Sequence, residues 1–264
     1  MKRAFALALN VLVLLVASGS AAFGAEASSL DKILNANAKG DVPEDISEVR
    51  ANALKELGES LGKRAGLADE SKTILKEIEA EKNTLDVKFS FGSLTFSNGS
   101  LPPVITQPED VISVMDYSMT VAGKIYKIVA PARFVQVNWR DYLYIGLSFE
   151  EDPVLAEEQR RLYPRNGSET TYWKKVVNDG YNKGRAEAKK IFDINLARLK
   201  RDFNGMQLFY ELYARGLVSA PSFASATQSV SRPDPNTIII GESVFRITTQ
   251  PAFEAEAQHW KNRK

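Results

Sequence analysis

Apolar residues recur every three or four positions from Ile46 to Leu67, at Ile46, Val49, Ala53, Leu54, Leu57, Leu61, Ala65 and Leu67. That spacing lines one face of an amphipathic helix. Gly58, Gly62 and Gly66 climb the same stretch four residues apart. A glycine inside a helix costs about 1 kcal/mol against alanine, so three in register need a return. Close approach of a second backbone would supply it; the alternative is a set of local bends with a break near Gly66. A second helical stretch, Asp69 to Asp86, carries Ile74, Leu75, Ile78 and Leu85 among many charges.

The period then shortens. Val87, Phe89, Phe91, Leu94 and Phe96 read as short strands, and Asn98-Gly99 as a turn. From Val111 the chain reads as β-structure. A hairpin is predicted with Ser118–Val121 and Lys124–Val129 as arms and Ala122-Gly123 as its turn, followed by a strand from Trp139 towards Ile145. The longest helical pattern runs from Tyr172 to about Tyr213, with an N-cap within Ser168–Thr171. At 1.5 Å per residue it would reach about 60 Å unless Gly180, Gly184 or Gly205 interrupts it. Met206 and its aromatic neighbours read as core. Gly216 stops this helix and Pro221 prevents its resumption. Ser222–Asn236, rich in Ser, Thr and Pro, reads as a loop. A second hairpin follows, Thr237–Ile240 and Val244–Thr248 about a turn at Gly241–Ser243.

These elements predict an α+β fold, with long amphipathic helices packed on a small, mainly antiparallel sheet made of β-hairpins. No linker divides the chain, so 45–251 reads as a single domain, preceded by a flexible lead at 25–44 and followed by a polar tail at 252–264.

The first 24 residues read differently. Lys2 and Arg3 precede a run from Ala4 to Val16 that is apolar except at Asn10, and small residues follow from Ala17 to Ala22, then Phe23-Gly24-Ala25. This is the three-part layout of a secretory signal peptide, too short to span a bilayer, which needs about 20 apolar residues. Cleavage after Gly24 would remove Lys2 and Arg3, leaving 240 residues with 32 basic and 33 acidic side chains, a net charge of −1. Cleavage after Ala21 or Ala22 also fits. The expected destination is the periplasm.

Composition removes most chemistries. The chain has no cysteine, which excludes thiolate-bound metals, disulfides and thiol nucleophiles. One histidine, His259, lies five residues from the last position and excludes multi-histidine metal sites. A formal net charge of +1 argues against bulk electrostatic capture of nucleic acid. Paired carboxylates remain at Glu150, Glu151 and Asp152 and at Glu157 and Glu158, but a charged, proline-bounded stretch reads as a solvated surface excursion. The Gly180–Arg185 run lies inside a helical pattern and is not a phosphate-binding loop. Arg198, Lys200 and Arg201 alternate with Asp193 and Asp202 as on a solvated helix face. No catalytic, cofactor-binding or metal-ligating residue is assigned, and no cofactor is expected. The richest surface is Arg133-Phe134, Trp139-Arg140, Tyr142 and Tyr144. Those residue types serve equally a protein–protein contact or one face of a strand packed on the long helix.

Taken in order, several segments resemble the DotC family of type IVB secretion systems, both Dot/Icm and conjugative. They are Arg50-Ala51, Ala53-Leu54, Glu56, Leu61-Gly62, Ala65-Gly66-Leu67-Ala68, Leu101-Pro102-Pro103-Val104, Ile125-Tyr126 and Ala132-Arg133-Phe134-Val135. Asn138-Trp139-Arg140-Asp141-Tyr142-Leu143 follows, then Asn195-Leu196-Ala197-Arg198-Leu199-Lys200-Arg201-Asp202-Phe203, the most characteristic run, with Gly205-Met206. Val218-Ser219-Ala220-Pro221, Gly241, Val244, Arg246-Ile247-Thr248 and Pro251 complete it.

The resemblance implies a non-enzymatic component of an outer-membrane core complex. Such a component works with a DotD-like protein to place a DotH-like protein at the outer membrane, in a multi-copy ring. Family members are lipoproteins, whereas here Ala17-Ser18-Gly19 leads to Ser20 instead of the acylated cysteine. A serine hydroxyl cannot form the thioether to diacylglycerol, which leaves assembly with partners or a soluble form. Two other classes make contrary demands. A cell-wall hydrolase would use Glu150 or Glu157 as its acid, and a solute-binding protein would need two lobes.

Overall fold

The computed structural model describes residues 29–36, 47–107, 112–115, 118–121, 124–147 and 157–255. The signal-like segment, Glu150–Asp152 and His259 lie outside these.

Two helices set the architecture. Helix α1 (Ser29–Leu34) is short, and α2 (Glu48–Ala80) runs for 33 residues from an N-cap at Ser47, whose hydroxyl accepts from the Arg50 N–H. Gly66 does not break α2, because it faces the backbone of Tyr181 on the neighbouring helix. That neighbour, which the chain reaches only after its short strands, runs from Gly167 to Ala214, 48 residues or about 72 Å, and Gly180, Gly184 and Gly205 leave it intact. Its N-cap is Asn166 rather than a residue of Ser168–Thr171: the Asn166 Oδ1 accepts from the Glu169 N–H at 2.8 Å. Its end is a Schellman motif. Gly216 takes φ +75°, the Leu217 N–H bonds the Leu212 carbonyl at 3.0 Å, and the Gly216 N–H bonds that of Tyr213 at 3.0 Å.

Between the long helices lie short elements. The strands expected over Val87–Phe96 are instead a helix α3 (Lys82–Lys88) and a 3₁₀ turn at Phe91–Leu94. Leu85 and Phe89 are buried one helical turn apart, whereas Val87 is 83% exposed, so the apparent alternation was a helical face. Strand β1 (Val104–Thr106) pairs antiparallel with β4 (Lys127–Ala130), and β2 (Ile112–Met115) with β3 (Ser118–Val121). The first expected hairpin is therefore wrong in its partners. Val104 and Ile105 are buried beside Gly205 of the long helix and offer β4 a fixed edge, which outweighs the local turn at Ala122-Gly123.

Trp139–Ile145 is likewise no strand. Arg140–Leu143 forms a one-turn helix, α4, before the long helix, α5 (Gly167–Ala214). The Arg140 N–H donates to Asn138 Oδ1, and the Asn138 N–H donates to Asp141 Oδ2, each at 2.7 Å, a reciprocal cap. Trp139, Tyr142 and Leu143 then fall on one buried face.

The last correction is the largest. Ser222–Asn236 is not a loop, and Gly241–Ser243 is not a turn. Strands β5 (Ser222–Asp234) and β6 (Thr237–Thr249), 13 residues each, form one long ribbon turning at Pro235-Asn236. Asp234 Oδ1 accepts from the Asn236 N–H at 2.8 Å and fixes that turn. Gly241 sits mid-strand at φ +73°, a conformation glycine supplies without strain.

The fold is α+β as expected, with α2 and α5 packed along their length and, among the described residues, three separate two-stranded antiparallel ribbons in place of one sheet. Its largest core packs Ile74 and Ile78 of α2 against Ala188, Leu199 and Phe203 of α5, with Phe91, Trp139 and Leu143 filling between them. Met206 is core, as expected.

Candidate functional site

The buried charges serve the helix pair. Arg50 on α2 meets Glu169 on α5 with two hydrogen bonds, Nε to Oε1 at 3.0 Å and Nη2 to Oε2 at 3.1 Å. The same guanidinium caps the carbonyls of Tyr163 at 2.6 Å and Arg161 at 3.2 Å, and the Arg165 N–H also donates to Glu169. Burial alone would raise the Glu169 carboxyl, but Arg50 and the Arg165 N–H outweigh it and hold the group below the usual range. Further along, Arg185 and Lys189 of α5 meet buried Glu70 of α2 at 2.6 and 3.4 Å, and Lys183 pairs with Glu59. The Gly180–Arg185 run thus packs α5 on α2.

The Arg133–Tyr144 cluster is neither a strand face nor wholly surface. Trp139 and Tyr142 are core. The Trp139 indole N–H donates to Asp86 Oδ1 at 2.7 Å, and the Arg140 guanidinium lies 4.0 Å from the Trp139 ring while bonding the same carboxylate. Tyr142 donates to buried Asp202 at 3.2 Å, and its phenol is pushed up to about 12 by burial, with the Asp202 charge adding to the effect. Arg201 neutralises Asp202 at 2.7 Å, and Arg198 stacks on Tyr142 with 5.7 Å to the ring centroid. These cations finish a packed face. Phe134, 41% exposed, instead meets Phe223 at the base of the ribbon.

Glu157 and Glu158 lie in a 3₁₀ turn, Glu157–Leu162. Among the described residues, the carboxyls displaced from their ordinary pKa, such as Glu79, Asp86 and Glu169, all move down. A glycosidase acid needs one moved up. The shallow depression lined by Val218, Ser219, Phe253 and Glu254 holds a single carboxylate.

The feature without a structural role is the β5–β6 ribbon. At about 3.4 Å per residue it reaches some 44 Å. Among the described residues no other element packs on it. Its base alone is held: the Phe223 ring packs edge-on to Phe96 and tilted against Phe134, and the Gln250 amide bonds both the N–H and the carbonyl of Ala132, at 3.0 and 3.1 Å. Beyond the base, Val230, Ile238, Ile240, Val244 and Phe245 are exposed, Ile240 by 76%. Apolar side chains in water along an open-edged ribbon mark an interaction surface. Sequence reasoning missed it, although Ser225, Thr227, Ser229 and Ser231 alternate with Ala224, Ala226, Gln228 and Val230 at the period of a strand.

Residues 48–262 match a family described as type IV secretory system, conjugal DNA-protein transfer, the TraI family. The chain belongs to this family. The match begins with the first residue of α2 and takes in α5 and the whole ribbon, so the elements just described are those of a type IV secretion system component. No curated protein matches the chain.

Proposed function

We propose that this type IV secretion component is a non-enzymatic building block of the outer-membrane core complex of a type IVB secretion or conjugation system. It is exported by its N-terminal segment to the periplasm and assists a DotD-like protein in placing a DotH-like protein at the outer membrane. The observation that carries an assembly role is the β5–β6 arm, 26 strand residues of which, among the described residues, only the base at Phe223 packs on the rest of the chain. The charge balance and the paired buried ions suit a scaffold. Ser20 directs membrane association through partners rather than a lipid.

The test is co-purification of the tagged full-length chain from detergent-extracted envelopes of its own host, with mass spectrometry of everything retained. Recovery of DotD- and DotH-like proteins in a large assembly is expected. Recovery of the chain alone from the soluble fraction, or a purified chain that cleaves peptidoglycan, overturns the reading.

A further inference from the structure

We infer that the β5–β6 arm joins copies of this chain edge to edge: the outer edge of β6 in one copy pairs with the outer edge of β5 in the next, in the register that already joins the two strands within one chain. This deepens the multi-copy reading above and rests on it.

The argument begins with the backbone. In a two-stranded ribbon, half of each strand's N–H and carbonyl groups point at the partner strand and half point outward. Here both outward rows run the length of 13-residue strands, with no third strand beside either among the described residues. Soluble proteins protect such edges with lysines, short strands or a covering element. Residues 222–249 contain no lysine, and Arg232 with the prolines Pro233 and Pro235 lies at the tip, leaving Arg246 as the one cation between the tip and the base.

The occupant follows from the pairing the chain makes with itself. Val230 faces Ile240, Ala226 faces Val244, and Gln228 faces Glu242. Those contacts show that the two sequences are compatible antiparallel neighbours. A second copy standing upright beside the first presents β5 to the free edge of β6 in the same orientation, so every pair can recur. The charges permit it. Arg232 and Arg246 balance Asp234 and Glu242 along the arm, and in this register Glu242 meets Gln228 and Arg246 meets Ala224, with no like charges opposed. A lipid surface fits less well, since Gln228 and Glu242 would enter the hydrocarbon together midway along the ribbon. Because the two edges differ, the contact is heterologous and repeats from copy to copy, and ring closure removes every free edge.

The cysteine-free sequence makes the test direct. Full-length chains carrying Ala226→Cys with one tag and Val244→Cys with another are co-expressed and treated with a short thiol-to-thiol crosslinker. A product bearing both tags is expected, at least five times stronger than for Ala226→Cys combined with Ile240→Cys, which is four residues out of register. Ile240→Lys, on a side chain exposed in the single chain, should remove that product while leaving the helical circular dichroism unchanged. If the two tagged copies co-purify in one assembly but do not crosslink, or crosslink to another polypeptide instead, edge pairing between copies is overturned and the multi-copy reading stands. If the two tags never co-purify, the multi-copy reading itself fails.

Discussion

The α-carbon of Gly184 faces the carbonyl oxygen of Lys63 with no room for a methyl group between them. Gly180 stands in the same relation to the Glu59 carbonyl, and from the other side Gly62 and Gly66 meet the carbonyls of Val177 and Tyr181. Glycine's helix cost is therefore exchanged for backbone contact between α2 and α5. Gly184→Ala should destabilise the protein, because the clash falls on main chain that cannot turn aside. Overpacking of about 3 kcal/mol outweighs the roughly 1 kcal/mol that alanine gains in helix propensity, a net loss near 2 kcal/mol. Gly167→Ala, where nothing lies within 4 Å, should leave the urea midpoint unchanged or slightly raised. Equal effects at the two positions would contradict the close-approach account.

That ladder was legible in the sequence, since spacing of four among glycines already asks for a second backbone. So were the long helix and its Gly216 stop, which rest on local rules. What failed was strand partnership. Lys127–Ala130 pairs with Val104–Thr106 because α5 holds that edge, a fact carried by residues about 75 positions away in the chain. The Trp139 segment was misread for a different reason. Its aromatic content spoke for a strand, while the decisive signal was the Asn138–Asp141 cap spacing beside Trp139, Tyr142 and Leu143 on one helical face. The arm escaped because a strand exposed on both faces carries no hydrophobic face for a core to demand.

Arg50 should be the costliest single truncation among the charged residues. Arg50→Ala strands the Glu169 carboxylate and removes a donor from the Tyr163 and Arg161 carbonyls, and loss of one partner of a buried pair costs about 3–5 kcal/mol. The folded-state carboxyl is depressed, so the pair stabilises above the unfolded carboxylate range, near pH 4.3, and that contribution is lost as pH falls through the lower folded value. The gap between wild type and Arg50→Ala in denaturant midpoint should thus be widest at neutral pH and narrow below about pH 4. A gap independent of pH would mean that Arg50 acts through packing alone.

Two phenols set an alkaline limit. Tyr142 and Tyr181 are each pushed up to about 12, by burial first and then by the carboxylates they bond, Asp202 and Asp69. A raised folded-state pKa leaves stability whole below the unfolded tyrosine value, near 10, and erodes it as pH rises through 12. Ultraviolet titration should show these two phenolates forming together with the loss of helix. The Tyr142→Phe, Tyr181→Phe double variant should retain its helix to higher pH. Early ionisation of either tyrosine in folded protein would contradict their burial.

Phe223 decides whether the arm stands at a fixed angle. Its ring lies 5.8 Å from Phe96 and 6.1 Å from Phe134, and Phe96 in turn meets Phe209 of the α5 core edge to face. Among the described residues the arm makes no other packing contact with the body beyond the Gln250 clamp on Ala132. Phe223→Ala should consequently separate two stabilities that coincide in most small domains. The α2–α5 core keeps its packing, so the global stability moves by less than about 1 kcal/mol. The arm loses its hydrophobic anchor, and its ribbon hydrogen bonds, already open to water on both faces, exchange about tenfold faster. Hydrogen exchange resolved along β5 and β6 measures this. Unchanged protection there would mean that the ribbon holds its own geometry without the aromatic base, whereas a large fall across α5 as well would tie the arm to the core more closely than its contacts allow.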